Sequence, residues 1–265
     1  MEKKFTLGII GAGNMASAIL GGILKGGILK AEKIAVSDKD SEKLAIMAQN
    51  GVYVTHDNRE IASESQYVIF AVKPQIAPVV FEEIKEVISA GTVVSIMAGI
   101  SIAKLKNALG ERNYARIMPN TPALAGEGMS VVAFSEGYRS QFVLDVFASV
   151  GKVVELDESL FDAVTSLSGS GPAYVYMFID ALIAGGMEGG LDFATAKTLA
   201  VQTVRGAAKM VEISPRPIDD LVDAVCSKGG TTIQAVESFR EDGLKNVIVK
   251  GMEKCRRRSE ELGNA

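Results

Sequence analysis

The clearest chemical signal in the chain is a glycine-rich segment near its start, Gly11-Ala12-Gly13-Asn14-Met15-Ala16. It follows the apolar run FTLGII and precedes small residues with helical spacing, so it lies between a predicted strand and a predicted helix. The two glycines allow a tight turn and let the backbone approach a pyrophosphate, whose charge the helix N-terminus stabilises. A glycine turn without a ligand is the alternative, but the position of the motif favours a dinucleotide site.

The end of the second predicted strand, Ser37-Asp38-Lys39, bears on which nicotinamide cofactor binds. Asp38 stands about 20 residues beyond the glycine motif, where a carboxylate accepts a ribose hydroxyl and favours NADH. Ser37 and Lys39 are donors that would instead hold the 2′-phosphate of NADPH. Asp38 or Asp40 would also serve as the N-cap of a helix that begins near Ser41. The residues themselves leave the choice of cofactor open.

A second motif, Cys226-Ser227-Lys228-Gly229-Gly230-Thr231-Thr232, precedes the helical run IQAVESF. The amides of Gly229 and the two residues after it lie ahead of a helix and form an anion nest. The hydroxyls of Ser227, Thr231 and Thr232 would add hydrogen bonds, and a carboxylate would fit there. A threonine-capped helix entered through glycines explains the same residues equally well.

Three further segments are expected to line one crevice, because each follows a predicted strand and an open parallel sheet binds its ligand at the carboxyl ends of its strands. The segments are Ala71-Val72-Lys73-Pro74-Gln75, Ser95 to Ser101, and Met118 to Pro122. Pro74 fixes the chain as it leaves its strand. Stiff turns would explain the proline and glycine residues, but not Lys73 and Asn120.

The residue types that are missing reduce the number of reactions that this chain could catalyse. The only histidine, His56, is far along the sequence from the strand ends that form the crevice and is expected at the surface or behind the residues of a site, so a His-based dehydrogenase or hydrolase has no obvious catalyst. No lysine occurs between Lys152 and Lys197, where a 3-hydroxyacid dehydrogenase of similar layout would place one. No His, Cys or carboxylate cluster has metal-ligand spacing, so no metal is predicted. A nicotinamide enzyme without a strong acid or base suits a cyclic imine, which accepts hydride directly once protonated.

Alternating strand and helix patterns position these segments. From Phe5 to Glu155 buried apolar runs alternate with helical spacing, which predicts an α/β, Rossmann-like domain with helices on both faces of a parallel sheet. From Leu160 onward, long helical stretches rich in small residues predict a second, all-helical domain. We expect a dinucleotide-binding domain over 1–158 and a helical substrate-binding and dimerisation domain over 159–265. About 105 residues of apolar helix make a thin bundle, so we expect a dimer through this region.

The composition is that of an ordinary folded protein with a small-molecule ligand. The 265 residues are 48% hydrophobic and 23% charged, and the net charge of -4 provides no basic field to hold nucleic acid. No apolar stretch is long enough to span a bilayer, so no membrane segment is predicted. The 2 cysteines cannot form a disulfide framework, which fits a reducing cytoplasm.

Together these motifs resemble those of pyrroline-5-carboxylate reductases over nearly the whole chain. The matching segments are GAGNMA at 11–16, AVKPQ at 71–75, MPNTPA at 118–123, SGSGPAY at 168–174 and SKGGTT at 227–232. The last is close to the family's SPGGTT signature and favours the anion nest over the capped helix. The resemblance implies reduction of 1-pyrroline-5-carboxylate to L-proline by hydride from NADPH or NADH, the last step of proline biosynthesis, in a homodimer or larger homo-oligomer.

The resemblance also implies roles by position. Thr232 would place its hydroxyl against the ring nitrogen as the catalytic group, and Ser227 with the amides of Gly229, Gly230 and Thr231 would hold the substrate carboxylate. The remaining residues would bind the cofactor in three groups. These are Gly11, Gly13, Asn14, Met15 and Ala16 at the pyrophosphate; Ser37 and Asn58 at the adenosine ribose or its phosphate; and Ala71, Val72, Lys73 and Pro74 at the nicotinamide ribose and ring.

Two departures from the family pattern affect these expectations. Lys228 stands where the family usually has proline, which loosens the loop and adds a cation beside the carboxylate site, with opposite effects on affinity. Asp38 and Lys39 keep both NADPH, the usual family donor, and NADH open. The alternative functions are a reductase of a related cyclic imine, a deazaflavin-linked NADP oxidoreductase and a non-catalytic nucleotide sensor. The SKGGTT loop disfavours the deazaflavin enzyme, whose substrate is bulky.

Overall fold

The computed structural model describes residues 3–264, which pack as two compact units. The first unit contains the chain up to Ser170 together with the C-terminal segment from Cys255, and the second spans Gly171–Lys254. The chain therefore returns to the first unit after it has formed the second. This division by packing is distinct from the functional domain boundary near residue 158, which stays a prediction.

An eight-stranded sheet forms the centre of the first unit. Its strands are β1 (Phe5–Ile10), β2 (Ile34–Ser37), β3 (Tyr53–Thr55), β4 (Ser65–Phe70), β5 (Thr92–Ser95), β6 (Asn113–Met118), β7 (Gly128–Phe134) and β8 (Gly151–Glu155). The order is β3-β2-β1-β4-β5-β6-β7-β8, and every neighbouring pair is parallel except β6 and β7. The order reverses between β1 and β4, which is where open α/β sheets bind ligands. The predicted Rossmann-like fold is confirmed, with one antiparallel pair that the repeating pattern does not indicate.

Helices cover both faces of this sheet. They are α1 (Asn14–Lys25), α2 (Ser41–Ala48), α3 (Asn58–Glu64), α4 (Ala77–Ile84), α5 (Ile102–Leu109), α6 (Gln141–Ala148) and the short α7 (Phe161–Val164), which continues into a π-helical turn over Thr165–Gly169. On one face α1, α2 and α6 pack around Ile19 and Phe147. On the other face α3, α4 and α5 pack around Ile61 and Phe81. α6 is not among the helices predicted from the sequence, because it has only 8 residues and so short a run is easily missed. Its buried residues do have helical spacing; they are Val143, Leu144, Val146 and Phe147.

The second unit is helical, as predicted. Its helices are α8 (Gly171–Glu188), α9 (Phe193–Ile213), α10 (Ile218–Val225), α11 (Thr231–Glu241) and α12 (Leu244–Asn264), the last of which ends in the first unit. α8 and α9 pack against each other around Ile183 and Ala196. Large apolar side chains of both helices stay exposed, among them Met177 at 74% and Leu199 at 53%. None of the helices in residues 3–264 is long and apolar enough to cross a membrane.

The C-terminal end of α12 packs within the first unit. The Ser259 hydroxyl donates to Asp162 Oδ1 at 2.6 Å. The Leu262 backbone lies so near Gly99 that a Cβ at residue 99 would stand 3.3 Å from the Leu262 carbonyl oxygen. Gly99 also has a φ of +73°, a conformation that favours glycine. These contacts explain why the last turns of α12 belong to the first unit and not to the helical one.

Candidate active site

The glycine motif forms the turn between β1 and α1. Gly11 has a φ of +104°, and a Cβ there would stand 2.7 Å from the Ala71 carbonyl oxygen, so only glycine fits. A Cβ at Gly13, by contrast, would meet no atom within 4 Å, so packing does not require glycine at that position. The open space at Gly13 fits a ligand that approaches the backbone closely, as a pyrophosphate does. The first turn of α1 contains the other predicted pyrophosphate residues, Asn14, Met15 and Ala16.

The carboxylate of Asp38 belongs to this glycine turn. Its Oδ2 accepts the Ala12 N–H at 2.7 Å, and its Oδ1 accepts the Asp40 N–H at 2.9 Å. Each oxygen therefore accepts one backbone amide, which gives Asp38 a role in supporting the turn, and each keeps a lone pair that a ribose hydroxyl could use. Asp40 is the N-cap of α2, because its Oδ1 accepts the amides of Glu42 and Lys43. The hydrogen bond from the Lys43 side chain lowers the pKa of Asp40.

Ser37 and Asn58 form a buried polar link. The Ser37 hydroxyl donates to Asn58 Oδ1 at 2.8 Å, and Asn58 Nδ2 donates to Glu83 Oε2 at 2.9 Å. Ser37 is fully buried, and Asn58 is 5% exposed. These bonds join the end of β2 to α3 and α4. They pair the side chains of Ser37 and Asn58 with other protein groups. Direct contact of Ser37 and Asn58 with the adenosine ribose or its phosphate stays a prediction.

His56 lies beside the end of β2, and β3, which it follows, is separated by two strands from β4, the first of the strands that end at the predicted crevice. It follows β3, whose last residue, Thr55, pairs with Ser37. Its Nδ1 is 2.8 Å from the Asp38 carbonyl oxygen, and its Nε2 is 3.3 Å from Ser41 Oγ. His56 and Asp38 are close although 18 residues separate them along the chain, because a parallel sheet places the ends of β2 and β3 side by side. The ring is exposed, as expected.

The carboxyl ends of β4, β5 and β6 are adjacent, as the crevice prediction requires. After β4, Lys73 is exposed and Pro74 begins a 3-10 turn. After β6, Asn120 holds two neighbouring segments, because its Nδ2 donates to Ser168 O at 3.1 Å and its Oδ1 accepts the Met129 N–H at 2.8 Å. The roles predicted for Ala71, Val72, Lys73 and Pro74 at the nicotinamide stay predictions, and all four residues lie at this edge.

A partly buried ion pair, which the motifs do not indicate, links the same edge to the helices beyond it. Arg116 of β6 donates to Glu158 Oε1 at 3.0 Å, and its guanidinium lies 4.6 Å from the centre of the Phe161 ring. The same Glu158 oxygen accepts the Ile102 N–H, at the start of α5, at 2.8 Å. The pair therefore connects β6, α5 and the start of α7. The available signal was an arginine within a buried apolar strand, because a buried charge needs a partner.

The SKGGTT loop lies in the second unit, between α10 and α11. Gly229 has a φ of +73°, and the Gly230 N–H donates to Ser227 O at 2.9 Å, so these residues form a β-turn. Gly230 is the N-cap of α11, and no side chain of the described residues caps it, so the threonine-capped helix is wrong. Ser227, Gly229 and Thr231 are exposed, whereas Thr232 is half-buried. The substrate contacts expected of this loop stay predictions.

Comparison with known proteins identifies the family. Residues 158–262 match a family model described as pyrroline-5-carboxylate reductase dimerisation, and residues 6–99 match one described as NADP oxidoreductase, coenzyme F420-dependent. Pyrroline-5-carboxylate reductase of Methanosarcina acetivorans is 40% identical to this chain over 269 residues, which cover 99% of both proteins. The chain belongs to the pyrroline-5-carboxylate reductase family.

Other pyrroline-5-carboxylate reductases are also similar to this chain over nearly its whole length. The Escherichia coli enzyme is 38% identical over 100% of both chains. The crystal structure of Plasmodium falciparum pyrroline carboxylate reductase with NADP bound has a TM-score of 0.88 and 33% identity, over 99% of this chain and 100% of that chain. The resemblance of the sequence motifs to this family is therefore confirmed. The match of residues 6–99 to the F420-dependent model reflects the Rossmann-like start that made a deazaflavin enzyme an alternative.

Proposed function

We propose that this chain reduces 1-pyrroline-5-carboxylate to L-proline, the last step of proline biosynthesis, with NADPH as hydride donor. The observation that carries the proposal is its full-length similarity, at 40% identity, to pyrroline-5-carboxylate reductase. NADPH is favoured over NADH because the Plasmodium falciparum relative was solved with NADP bound and the N-terminal residues match an NADP oxidoreductase model.

The first unit supplies the cofactor site in this proposal. The open backbone at Gly13 and the first amides of α1 would hold the pyrophosphate, because a helix N-terminus presents unpaired N–H groups to an anion. The segment Ala71 to Pro74 would border the nicotinamide ribose and ring. When bound there, the dihydronicotinamide supplies the hydride.

The SKGGTT loop would bind the substrate carboxylate. The amides of Thr231 and Thr232 are the first two of α11, and such amides have no partner within their helix. The exposed amide of Gly229 and the hydroxyl of Ser227 would add donors. The Gly230 amide already donates to Ser227 O, so we remove it from the donors that the sequence suggests. Lys228 is exposed and would add a positive charge near the carboxylate.

Thr232 is the catalytic residue in this proposal. Its hydroxyl oxygen would accept a hydrogen bond from the iminium N–H of the ring and hold that proton in place while C5 receives the hydride. The protonated imine is already an electrophile, so the protein needs to orient it and to supply this one hydrogen bond. Thr232 is half-buried in the first turn of α11, which restricts the positions its hydroxyl can take.

The helical unit would form a homodimer, alone or within a larger homo-oligomer. Its match to the family's dimerisation domain and the exposed apolar side chains of α8 and α9 support this assembly. Light scattering should give a mass that is an even multiple of 28.0 kDa, and a monomer at micromolar concentration would contradict the proposal. We place the enzyme in the cytoplasm, supported by its two free cysteines, Cys226 and Cys255.

Initial rates of NADPH and NADH oxidation with several cyclic imines test the proposed activity. We expect turnover with 1-pyrroline-5-carboxylate, faster with NADPH than with NADH and faster than with a six-membered ring imine carboxylate. Turnover of another imine only would instead favour the related-imine reductase. Cofactor binding without turnover of any imine would favour the nucleotide sensor.

A further inference from the structure

A set of hydrogen-bond donors beyond the ends of β2 and β3 includes two residues, His56 and Ser41, that neither the motifs nor the family comparison assigns to the cofactor. We propose that His56, together with Ser41 and Lys39, binds the 2′-phosphate of NADPH and thereby sets the preference for NADPH over NADH. The proposal rests on the proposed function, because it requires that a nicotinamide dinucleotide binds at the glycine turn.

The hydrogen bonds of His56 fix the orientation and the tautomer of its ring. Nδ1 faces the carbonyl oxygen of Asp38 at 2.8 Å, and a carbonyl only accepts, so Nδ1 carries a proton. Nε2 faces the hydroxyl of Ser41 at 3.3 Å, at the first residue of α2. The ring is exposed, so an anion that arrives from solvent can meet its Nε2 edge. Protonation of Nε2 would then give a charged donor beside the Ser41 hydroxyl.

The position of this edge relative to the glycine turn points to the adenosine ribose. In a Rossmann-like fold the ribose lies beyond the end of β2, while the pyrophosphate lies on the turn after β1. Asp38 joins the two places, because its side chain accepts the Ala12 N–H of the turn and its main-chain carbonyl accepts His56 Nδ1–H. Asp38 therefore contacts both His56 and the pyrophosphate turn, and His56 lies on the ribose side of Asp38.

Three carboxylates at the ends of β2 and β3 have hydrogen-bond partners of their own, and His56 Nε2 faces a hydroxyl and not a carboxylate. Asp38 accepts the amides of Ala12 and Asp40. Asp40 caps α2 and pairs with Lys43 at 3.2 Å. Asp57, the next residue in the chain, accepts the Arg59 N–H at 2.8 Å as the N-cap of α3. The groups left facing solvent at this edge include the Nε2 side of His56 and the exposed ammonium of Lys39.

The 2′-phosphate of NADPH carries the charge and the acceptor oxygens that suit the donors of His56, Ser41 and Lys39. The 2′-hydroxyl of NADH is uncharged and would gain less from them. A phosphate monoester presents three acceptor oxygens and more than one negative charge near neutral pH. It would accept hydrogen bonds from Nε2–H, the Ser41 hydroxyl and the Lys39 ammonium, and bonds of this charged kind are the strong ones. Loss of one of them should weaken NADPH binding about tenfold.

Calorimetric titration of the full-length protein with NADP⁺ and NAD⁺ tests the proposal without measuring turnover. In His56→Asn, the amide nitrogen takes the place of Nδ1 and keeps the bond to Asp38, while the phosphate donor is lost. We expect the NADP⁺ affinity to fall about tenfold and the NAD⁺ affinity to change less than about twofold. In His56→Gln, the amide nitrogen reaches the place of Nε2, so the NADP⁺ affinity should fall less than in His56→Asn.

Arg59→Leu is the matched control. It removes another exposed cation three residues along the chain, whose Nη1 donates to the Glu83 carbonyl oxygen and not toward Ser41. The ratio of NADP⁺ to NAD⁺ affinity should stay within about twofold of the unmodified protein, since long-range charge is screened at physiological ionic strength.

Three results would overturn the proposal: an unchanged affinity ratio in His56→Asn, equal weakening of both cofactors, or an equal loss in Arg59→Leu. If the unmodified protein binds neither NADP⁺ nor NAD⁺, the proposed function fails, and this result is distinct from a failure of His56 to discriminate between them.

Discussion

Asp38 Oδ2 accepts the backbone N–H of Ala12 at 2.7 Å, which joins the end of β2 to the glycine turn after β1. In dinucleotide-binding folds an acidic residue at this place commonly contacts the ribose. Here the same carboxylate also accepts the Asp40 N–H, so it supports the turn from within the protein. The identity of the residue at the end of β2 is therefore a poor guide to cofactor choice in this chain.

Asp38→Ala should weaken the binding of NADPH and NADH by similar factors, about tenfold each, because the turn that holds their common pyrophosphate loses its support. The free energy of unfolding should fall by about 2 kcal/mol, since two amides lose a charged acceptor. Titration calorimetry and urea unfolding measure the two effects. A selective loss of NADH binding would show that Asp38 contacts the ribose hydroxyl after all.

Alanine at Gly11 and at Gly13 should produce different defects. Gly11→Ala should lower the free energy of unfolding by about 2 kcal/mol or more, because alanine is strained at a φ of +104° and its Cβ would clash with the Ala71 carbonyl oxygen. Gly13→Ala should leave stability unchanged, because its Cβ meets nothing in the protein, and should still weaken cofactor binding about tenfold or more. Normal cofactor binding by Gly13→Ala would refute the pyrophosphate site.

The parts of the fold that the sequence predicts are those set by local chemistry. The glycine turn follows from the GAGNMA spacing, because only glycine permits the conformation found at Gly11. The antiparallel direction of β7, by contrast, could not be predicted from local chemistry. A buried parallel strand and a buried antiparallel strand carry the same apolar run, so the reversal after the Thr121–Ala125 turn leaves no trace in the sequence of β7.

Stability at alkaline pH should depend on Tyr114. Burial raises the pKa of Tyr114 to about 12, and its hydroxyl donates to Gly110 O at 2.6 Å. In the unfolded chain the phenol ionises near pH 10, so its contribution is fully present below about pH 10 and is lost as pH rises through about 12. That loss should amount to about 3 kcal/mol.

Tyr114→Phe provides the comparison. The variant should be less stable than the unmodified protein by about 1 kcal/mol at pH 9, because it lacks the bond to Gly110 O. Urea unfolding at pH 9 and pH 11.5 should show this difference shrinking or reversing as pH rises. Parallel losses of stability in the two proteins would mean that Tyr114 ionises equally easily in the folded and the unfolded chain.

Thr232→Ala should lower kcat about a hundredfold or more while the Kd for NADPH changes less than about twofold, because the hydroxyl is proposed to contact the imine and not the cofactor. Thr232→Ser keeps a hydroxyl at the same place in α11 and should recover most of the lost turnover. Steady-state rates and calorimetric titration give the two quantities. Full turnover by Thr232→Ala would exclude a catalytic role for this residue.

The candidate site was predictable to different degrees. Motifs with a backbone requirement, such as SKGGTT, stand out because the turn at Gly229 needs its positive φ. His56 does not stand out, because its neighbours Asp38 and Ser41 are distant along the chain and become close only through the pairing of β2 with β3. The partner of Arg116 is hidden for the same reason, since 42 residues separate it from Glu158.

Transfer of a labelled hydride shows whether this chain reduces the imine with hydride from the bound cofactor. The full-length protein would be incubated with 1-pyrroline-5-carboxylate and NADPH that carries deuterium on the transferred position of nicotinamide C4, and the product would be examined by mass spectrometry and NMR. We expect L-proline with one deuterium at C5. Oxidation of NADPH without labelled proline, or no oxidation by a protein that binds the cofactor, would contradict the proposed activity.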